Sequence, residues 1–178
     1  IGIKIAPFNR YQTLDVIRAV QDAGRTGDIA LYTGNDDHIL HDLLTPFAFG
    51  DDAAAPTRIV GGLLGQWAVW TQRAVELLDK TRHLVATGSA VPSALLRTGA
   101  QLTDANAAIF DAANGFAGCI PGIHEVLRRQ GLLAGRWCLD EHETLSPGQL
   151  NAINRVCAAY PQLNDDAFVA QHLAEWLA

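Results

Sequence analysis

The chain has 178 residues, of which 49% are hydrophobic and 18% are charged, and its formal net charge is −6. A chain of this length can bury a sizeable core, and this composition excludes disordered and fibrous proteins. The basic residues are scattered singly, Arg128-Arg129 excepted, so the sequence offers no basic stripe and we expect no nucleic-acid partner.

The cysteines and the apolar segments indicate where in the cell the protein is located. Cys119, Cys138 and Cys157 are widely spaced and odd in number, which favours buried free thiols in a reducing cytosol over a disulfide framework or a zinc site. Charged residues interrupt the apolar stretches well before the roughly 18 residues that a membrane-spanning helix needs. We therefore expect a cytoplasmic protein with no membrane partner. Because Ile1 stands in mid-strand and the chain contains no Met, we also expect a fragment.

The first third of the chain predicts strands that alternate with helices. Thr13 is expected to cap a first helix that Gly24 ends, and a second helix is expected around Ile39. A polar, alanine-rich loop is expected over residues 49–56. The predicted strands cover residues 1–6, 28–33 and 58–62. This alternation implies right-handed crossovers and a parallel sheet, either open or closed into a barrel.

The rest of the chain predicts helices and no convincing strand. Ser146-Pro147 is expected to supply the N-cap and first position of one helix, and Asn164 the N-cap of another. The predicted helices cover residues 66–84, 104–113, 120–130, 147–159 and 165–177.

Lys4 is the residue whose chemistry is most informative. A lysine inside a buried parallel strand is costly to desolvate, and burial favours the neutral amine that attacks a carbonyl to form a Schiff base. The chain has only two lysines, Lys4 and Lys80, against eleven arginines, and arginine cannot form an imine. The alternative is a strand-end lysine that extends into solvent or pairs with an acid.

Three motifs follow one another at the spacing of strand-helix units: Gly2-Ile3-Lys4, then the segment from Tyr32 to Asp37, then Gly61-Gly62. Together they resemble strands six to eight of the dihydrodipicolinate synthase and N-acetylneuraminate lyase superfamily, and the likeness to its uncharacterised members runs along most of the chain. The resemblance implies an α/β fold, the C-terminal part of a TIM (β/α)₈ barrel, in residues 1–90. A helical C-terminal extension would follow in residues 91–178, and the N-terminal half of the barrel would be absent.

The same resemblance implies a class I lyase or aldolase that needs no cofactor. Lys4 would form an imine with a 2-oxo acid such as pyruvate. The residues that would line the substrate pocket are Gly34, Asn35, Asp36, Gly61 and Gly62. Asn9 follows the end of the first strand and is a further pocket candidate, although ordinary loop chemistry explains it more simply. Asp36 can equally be an acid at a helix N-terminus.

The sequence departs from the family pattern in ways that affect substrate identity. Asn35 stands beside the aspartates where the family more often has a Gly-Asp-Asp run, and residues 61–66 replace a turn rich in glycine, valine and serine. The family's tyrosine proton relay lies on earlier strands. We therefore expect the site to require the missing half of the barrel, and we expect a homo-oligomer because three strands alone leave unpaired edges.

Two other functions remain open. The first is a noncatalytic or degenerate barrel for binding or assembly, in which Lys4 pairs with an acid. The second is a metal-dependent barrel enzyme that uses His38 and His41, which a helix would place on one face.

Overall fold

A computed structural model describes residues 1–50 and 56–178 of the chain. Most of the loop expected over residues 49–56 therefore lies outside the described residues. In chain order the elements are β1 (Gly2–Ile5), α1 (Arg10–Asp22), β2 (Ala30–Thr33), α2 (Ile39–Leu44), β3 (Ile59–Gly62), α3 (Thr71–Thr87), α4 (Ser93–Ile109), α5 (Cys119–Arg129), α6 (Gln149–Ala159) and α7 (Asp166–Trp176). None of the helices in these two ranges is long and apolar enough to cross a membrane.

The three strands form a parallel sheet in the order β1-β2-β3. Lys4 pairs with Tyr32, and Tyr32 pairs with Gly61. The register shifts between Leu31 and Tyr32, so that β3 accommodates Val60 as an extra residue. The expectation of three parallel strands is confirmed at these positions.

The prediction of a TIM (β/α)₈ barrel portion is wrong. The structure is mostly helical, at 55%, and its described residues contain only the small three-stranded sheet. A barrel requires a sheet that closes on itself, whereas among the described residues β1 and β3 each pair only with β2. Strands six to eight of a barrel are therefore not what these segments form.

The chain folds into two compact units. Unit 1 comprises Ile1–Leu64 with Lys80–Gly99, and unit 2 comprises Gly65–Asp79 with Ala100–Ala178. The chain thus passes from unit 1 to unit 2 after Leu64, returns to unit 1 within α3, and passes to unit 2 again within α4. The expected division of the chain between residues 90 and 91 stays a prediction, although its first part is not a barrel portion.

In unit 1 one face of the sheet is buried and the other is exposed. Ile5, Leu31 and Ile59 are each no more than 3% exposed, and α2 packs against β3 beside them. Because side chains alternate along a strand, Lys4 and Tyr32 lie on the opposite face, and both are exposed. We call this second face the open face.

In unit 2 the core is built from helices. Trp70, Ile109, Ile153 and Val156 are at most 1% exposed and belong to one apolar cluster. Trp70 adopts a positive φ of 56° directly before α3 begins. A large side chain in this backbone conformation is uncommon, and burial of the indole in the core offsets its cost.

Several expected helix ends are wrong. Asn9, not Thr13, is the N-cap of α1, and α4 begins at Ser93 rather than at residue 104. Helix α6 begins at Gln149 after Gly148, whose φ is +83°, so Ser146-Pro147 are not its N-cap and first position. At α7, the Oδ1 atom of Asn164 accepts a hydrogen bond from the backbone N–H of Asp166, although the cap position itself belongs to Asp165.

The cysteines are free thiols, as expected, but they are partly exposed rather than buried.

Candidate functional site

Lys4 lies on the open face of the sheet and is exposed, so the expectation of a buried lysine is wrong. The expectation assumed that both faces of a parallel sheet are covered. In this sheet the buried face is the one that carries Ile5, Leu31 and Ile59, and Lys4 lies on the other face. Within residues 1–50 and 56–178 no ion pair includes Lys4. Its amine is therefore not held by an acid there.

Gly34 makes room for the lysine stem. It follows β2 directly, and its backbone N–H donates to the carbonyl of Ile5 at 2.7 Å. A Cβ atom at Gly34 would lie 3.1 Å from the Cε atom of Lys4 and 2.9 Å from the Cβ atom of Ala6. The absence of a side chain at position 34 thus allows Lys4 to extend over the end of β2.

Tyr32 is the neighbour of Lys4 that sequence reasoning did not select. The two residues are register partners, so their side chains leave adjacent strands on the same face, about 4.8 Å apart. The Tyr32 hydroxyl donates to the carbonyl oxygen of Gly62 at 2.9 Å. A Cβ atom at Gly61 would lie 3.0 Å from the tyrosine ring, so Gly61 leaves space for the ring. Parity along β2 is the signal that could have identified Tyr32.

The two glycines of β3 serve different faces. Gly61 lies under the Tyr32 ring on the open face. A Cβ atom at Gly62 would lie 2.9 Å from the Cδ1 atom of Ile39, which is on the covered face against α2. Gly61 therefore leaves space for the Tyr32 ring on the open face, and Gly62 contributes its carbonyl oxygen to the Tyr32 hydroxyl.

The side chain of Asn35 is bonded to α1. It is 3% exposed, its Nδ2 atom donates to the Thr13 hydroxyl at 2.6 Å, and its backbone N–H donates to the Thr33 hydroxyl at 3.1 Å. The bond to Thr13 ties the end of β2 to α1. Its Oδ1 atom is buried without a hydrogen-bond partner in the described part of the chain.

The remaining pocket candidates lie at helix beginnings. Asn9 is exposed, and its Oδ1 atom accepts from the backbone N–H of Tyr11 at 3.0 Å as the N-cap of α1. Asp36 is half-buried in the turn that precedes α2. The structure therefore brings Lys4 together with Gly34 and Tyr32, with Gly61 under the tyrosine ring, whereas the side chains of Asn9 and Asn35 bond to α1.

The histidines considered as metal ligands are engaged with one another and with Asp42. The rings of His38 and His41 stack at 4.5 Å, and the Nδ1 atom of His38 lies 3.3 Å from the fully buried Asp42, which Arg10 also contacts. Burial lowers the pKa of His41, and the neighbouring His38 lowers it further. Residues 1–50 and 56–178 contain no group of three His, Cys, Asp or Glu side chains placed to hold a metal ion. The metal-dependent alternative has no ligand set in these ranges.

The sequence matches no protein-family model, and no curated protein matches it.

Proposed function

We propose that the chain acts as a class I lyase or aldolase, in which Lys4 forms a Schiff base with a 2-oxo acid such as pyruvate. The observation that supports this most directly is the position of Lys4. Its stem extends over Gly34 on the open face, and no carboxylate in the described residues pairs with its amine. An accessible amine without an acid partner is what nucleophilic attack on a carbonyl requires.

The proposed chemistry begins with the neutral amine of Lys4. Its nitrogen attacks the keto carbon, a proton passes from nitrogen to the keto oxygen, and loss of water from this carbinolamine leaves a C=N bond. The protonated imine then withdraws electrons, so that a carbon–carbon or carbon–oxygen bond next to it can form or break. The steps balance without a cofactor, a metal or an oxidant.

The neighbours of Lys4 are suited to a small substrate. Gly34 and Ala6 have no bulky side chain beside the Lys4 stem, and the Tyr32 ring lies over Gly61 on the side of β3. This arrangement leaves the amine accessible to a small oxo acid. The class of partner is thus a small 2-oxo acid.

Assembly and location are part of the same proposal. Parallel sheets are normally covered on both faces, and the open face with Lys4 is exposed in this chain. This supports a homo-oligomer or a further protein segment that shelters the imine from water. The free thiols support a reducing compartment such as the cytosol.

Intact-mass analysis with borohydride tests the proposal. The protein is incubated with pyruvate and with a panel of other 2-oxo acids, then reduced, for the wild type, Lys4→Ala and Lys80→Ala. Lys80 is a matched control because it is the other lysine of the chain and is also exposed. We expect one covalent adduct in the wild type and in Lys80→Ala, and none in Lys4→Ala.

Two results of the borohydride experiment would contradict the proposal. An adduct that persists in Lys4→Ala and disappears in Lys80→Ala would place imine formation on α3 and contradict the proposal. The absence of an adduct with every oxo acid would remove the lyase function and favour the noncatalytic alternative, in which the open face serves binding or assembly.

A further inference from the structure

Unit 2 contains an open-sided cavity beside the start of α5. Its volume is about 390 Å³, and its lining includes Pro121, Arg136, Trp137, Glu141 and Glu143. Pockets for small ligands have volumes of roughly 300 to 1,000 Å³. The cavity belongs to unit 2 and Lys4 to unit 1, so the inference drawn from the cavity does not rest on the proposed lyase function.

Trp137 supplies an aromatic surface to this cavity. The indole is 75% exposed, although tryptophan is usually among the more buried residue types. Its ring lies over Gly135, where a Cβ atom would be 2.7 Å from the Cζ2 atom of the indole. The ring is therefore supported by backbone on one side and lines the cavity with the rest of its surface.

The charges of the lining favour a cation. Arg136, the basic side chain of the lining, is engaged by Glu125, with its Nη1 atom 3.6 Å from Oε2. No ion pair within residues 1–50 and 56–178 includes Glu141 or Glu143. Burial raises the pKa of the Cys138 thiol in the same lining, and Glu143 raises it further, as expected where the local potential is negative.

We infer that this cavity binds an alkylammonium group, with the cation against the Trp137 indole and the charge balanced by Glu141 and Glu143. An ammonium or quaternary ammonium is attracted to the face of an aromatic ring, and tryptophan is the strongest such partner. The two carboxylates in the lining add a charge of the right sign. The ligand can be a free small molecule or the methylated lysine side chain of a peptide, since both present the same group.

Isothermal titration calorimetry tests the inference with choline and with 3,3-dimethylbutan-1-ol, a neutral alcohol of the same shape. We expect choline to bind with saturation and the alcohol to bind more weakly. Titration of Nα-acetyl-trimethyllysine amide then shows whether the ammonium group belongs to a peptide or to a free small molecule. Tighter binding of this amide than of choline indicates a peptide ligand, and weaker binding indicates a free small molecule. Equal affinity for choline and the alcohol, or no saturable binding of either ammonium probe, would overturn the inference.

Variants locate the site. We expect Trp137→Leu to weaken choline binding by about 2- to 30-fold, the range that cation–π contacts span, and Glu143→Gln to weaken it as well. Gly135→Ala should also weaken binding, because the added methyl group displaces the ring without changing a charge. Trp176→Leu is the matched control, since Trp176 is an exposed tryptophan of α7 outside this lining, and it should bind choline normally.

Trp137→Phe keeps the test valid if the leucine variant does not fold. It retains an aromatic face, and we expect it to bind choline more weakly than the wild type but more tightly than any variant without a ring. Choline affinity that is unchanged in Trp137→Leu, Trp137→Phe and Glu143→Gln would show that the ammonium group binds elsewhere, and the inference would be wrong.

Discussion

Glu125 shows how one side chain can hold together several others. This residue of α5 is 1% exposed, yet its carboxylate is ionised because arginines surround it. Arg128 and Arg129 donate to it at 2.8 to 2.9 Å, and Arg136 lies 3.6 Å away. The hydrogen bonds from Arg128 do most to lower the pKa of Glu125, which falls from 4.5 to about 2.

Glu125→Gln should therefore lower the free energy of unfolding by about 2 kcal/mol at neutral pH, because it leaves clustered arginines without their carboxylate. The native carboxyl has a depressed pKa, so its stabilisation is present above about pH 4.5 and is lost as the pH falls towards 2. Urea unfolding of wild type and variant across this range should show the difference shrink in acid. Glu76→Gln, which removes an exposed ion pair with Arg73, is the control and should cost less than about 1 kcal/mol.

Gly34→Ala tests the space beside Lys4. The new methyl group would lie 2.9 Å from the Cβ atom of Ala6 and 3.1 Å from the Cε atom of Lys4, so the lysine stem must move away from the end of β2 and the backbone at Ala6 must shift slightly. We expect a several-fold lower yield of the borohydride-trapped adduct with the fold retained. Gly27→Ala is the control, because nothing lies within 4 Å of its added Cβ atom. If both variants trap pyruvate as well as the wild type, Gly34 does not position the amine.

Part of this site could be predicted from residue types and spacing. Alternation along β1 places Lys4 on the face opposite to the isoleucines. The motifs include Gly34, which leaves space for the Lys4 stem, and Gly61, which leaves space for the Tyr32 ring. The exposure of Lys4 could not be predicted, because it depends on what covers the face and not on the strand itself. The resemblance assigns Asn35 to the pocket, yet its side chain bonds to Thr13, which lies 22 residues earlier in the chain.

At the scale of elements, α1 depends on Asn9 for its beginning. Asn9→Ala should lower stability by about 1 kcal/mol, because the backbone N–H of Tyr11 loses its acceptor, whereas Asn9→Asp should restore it. Thermal unfolding of both variants measures this. If Asn9 acts only as a cap, adduct formation at Lys4 should be the same in all three proteins; a loss of adduct in the folded Asn9→Asp would instead make Asn9 a pocket residue.

The helix ends were the least predictable part of the elements, because contacts with residues distant in the sequence decide where a helix begins. Thr13 has the side chain of an N-cap, but it is fully buried against Asn35, and the helix starts one turn earlier. Ser146 is also a residue type that favours the N-cap position. Its hydroxyl instead donates to Asp111 and its backbone N–H donates to Gln149, and these two bonds hold Ser146 outside α6. Hydrophobic periodicity locates most helices because it reports the buried face directly.

At the scale of the molecule, the barrel prediction failed for a related reason. The local pattern of strand, helix and strand is the same in an open sheet and in a closed barrel, and closure depends on pairings between strands that no local pattern contains. The helices after β3 are as long as those expected of an extension. Here the segment Lys80–Gly99 belongs to unit 1, and the helices of Ala100–Ala178 form the core of unit 2 together with Trp70.

Separate cores predict additive effects of core substitutions. Ile17 of unit 1 and Ile153 of unit 2 are both fully buried, so Ile17→Val and Ile153→Val should each cost about 1 kcal/mol. The double variant should lose the sum to within about 0.5 kcal/mol in urea unfolding, because the two sites belong to different units. A larger discrepancy would show that the cores are coupled energetically.

The alternation of the two units along the chain has a consequence for synthesis on the ribosome. Residues 1–64 emerge first, but the segment from Lys80 to Gly99 that completes unit 1 emerges only after residues 65–79, which belong to unit 2. The nascent sheet must therefore wait for later translation before its unit is complete. A chain in which translation pauses between Leu64 and Lys80 should leave β1, β2 and β3 exposed to chaperones and proteases for the length of the pause.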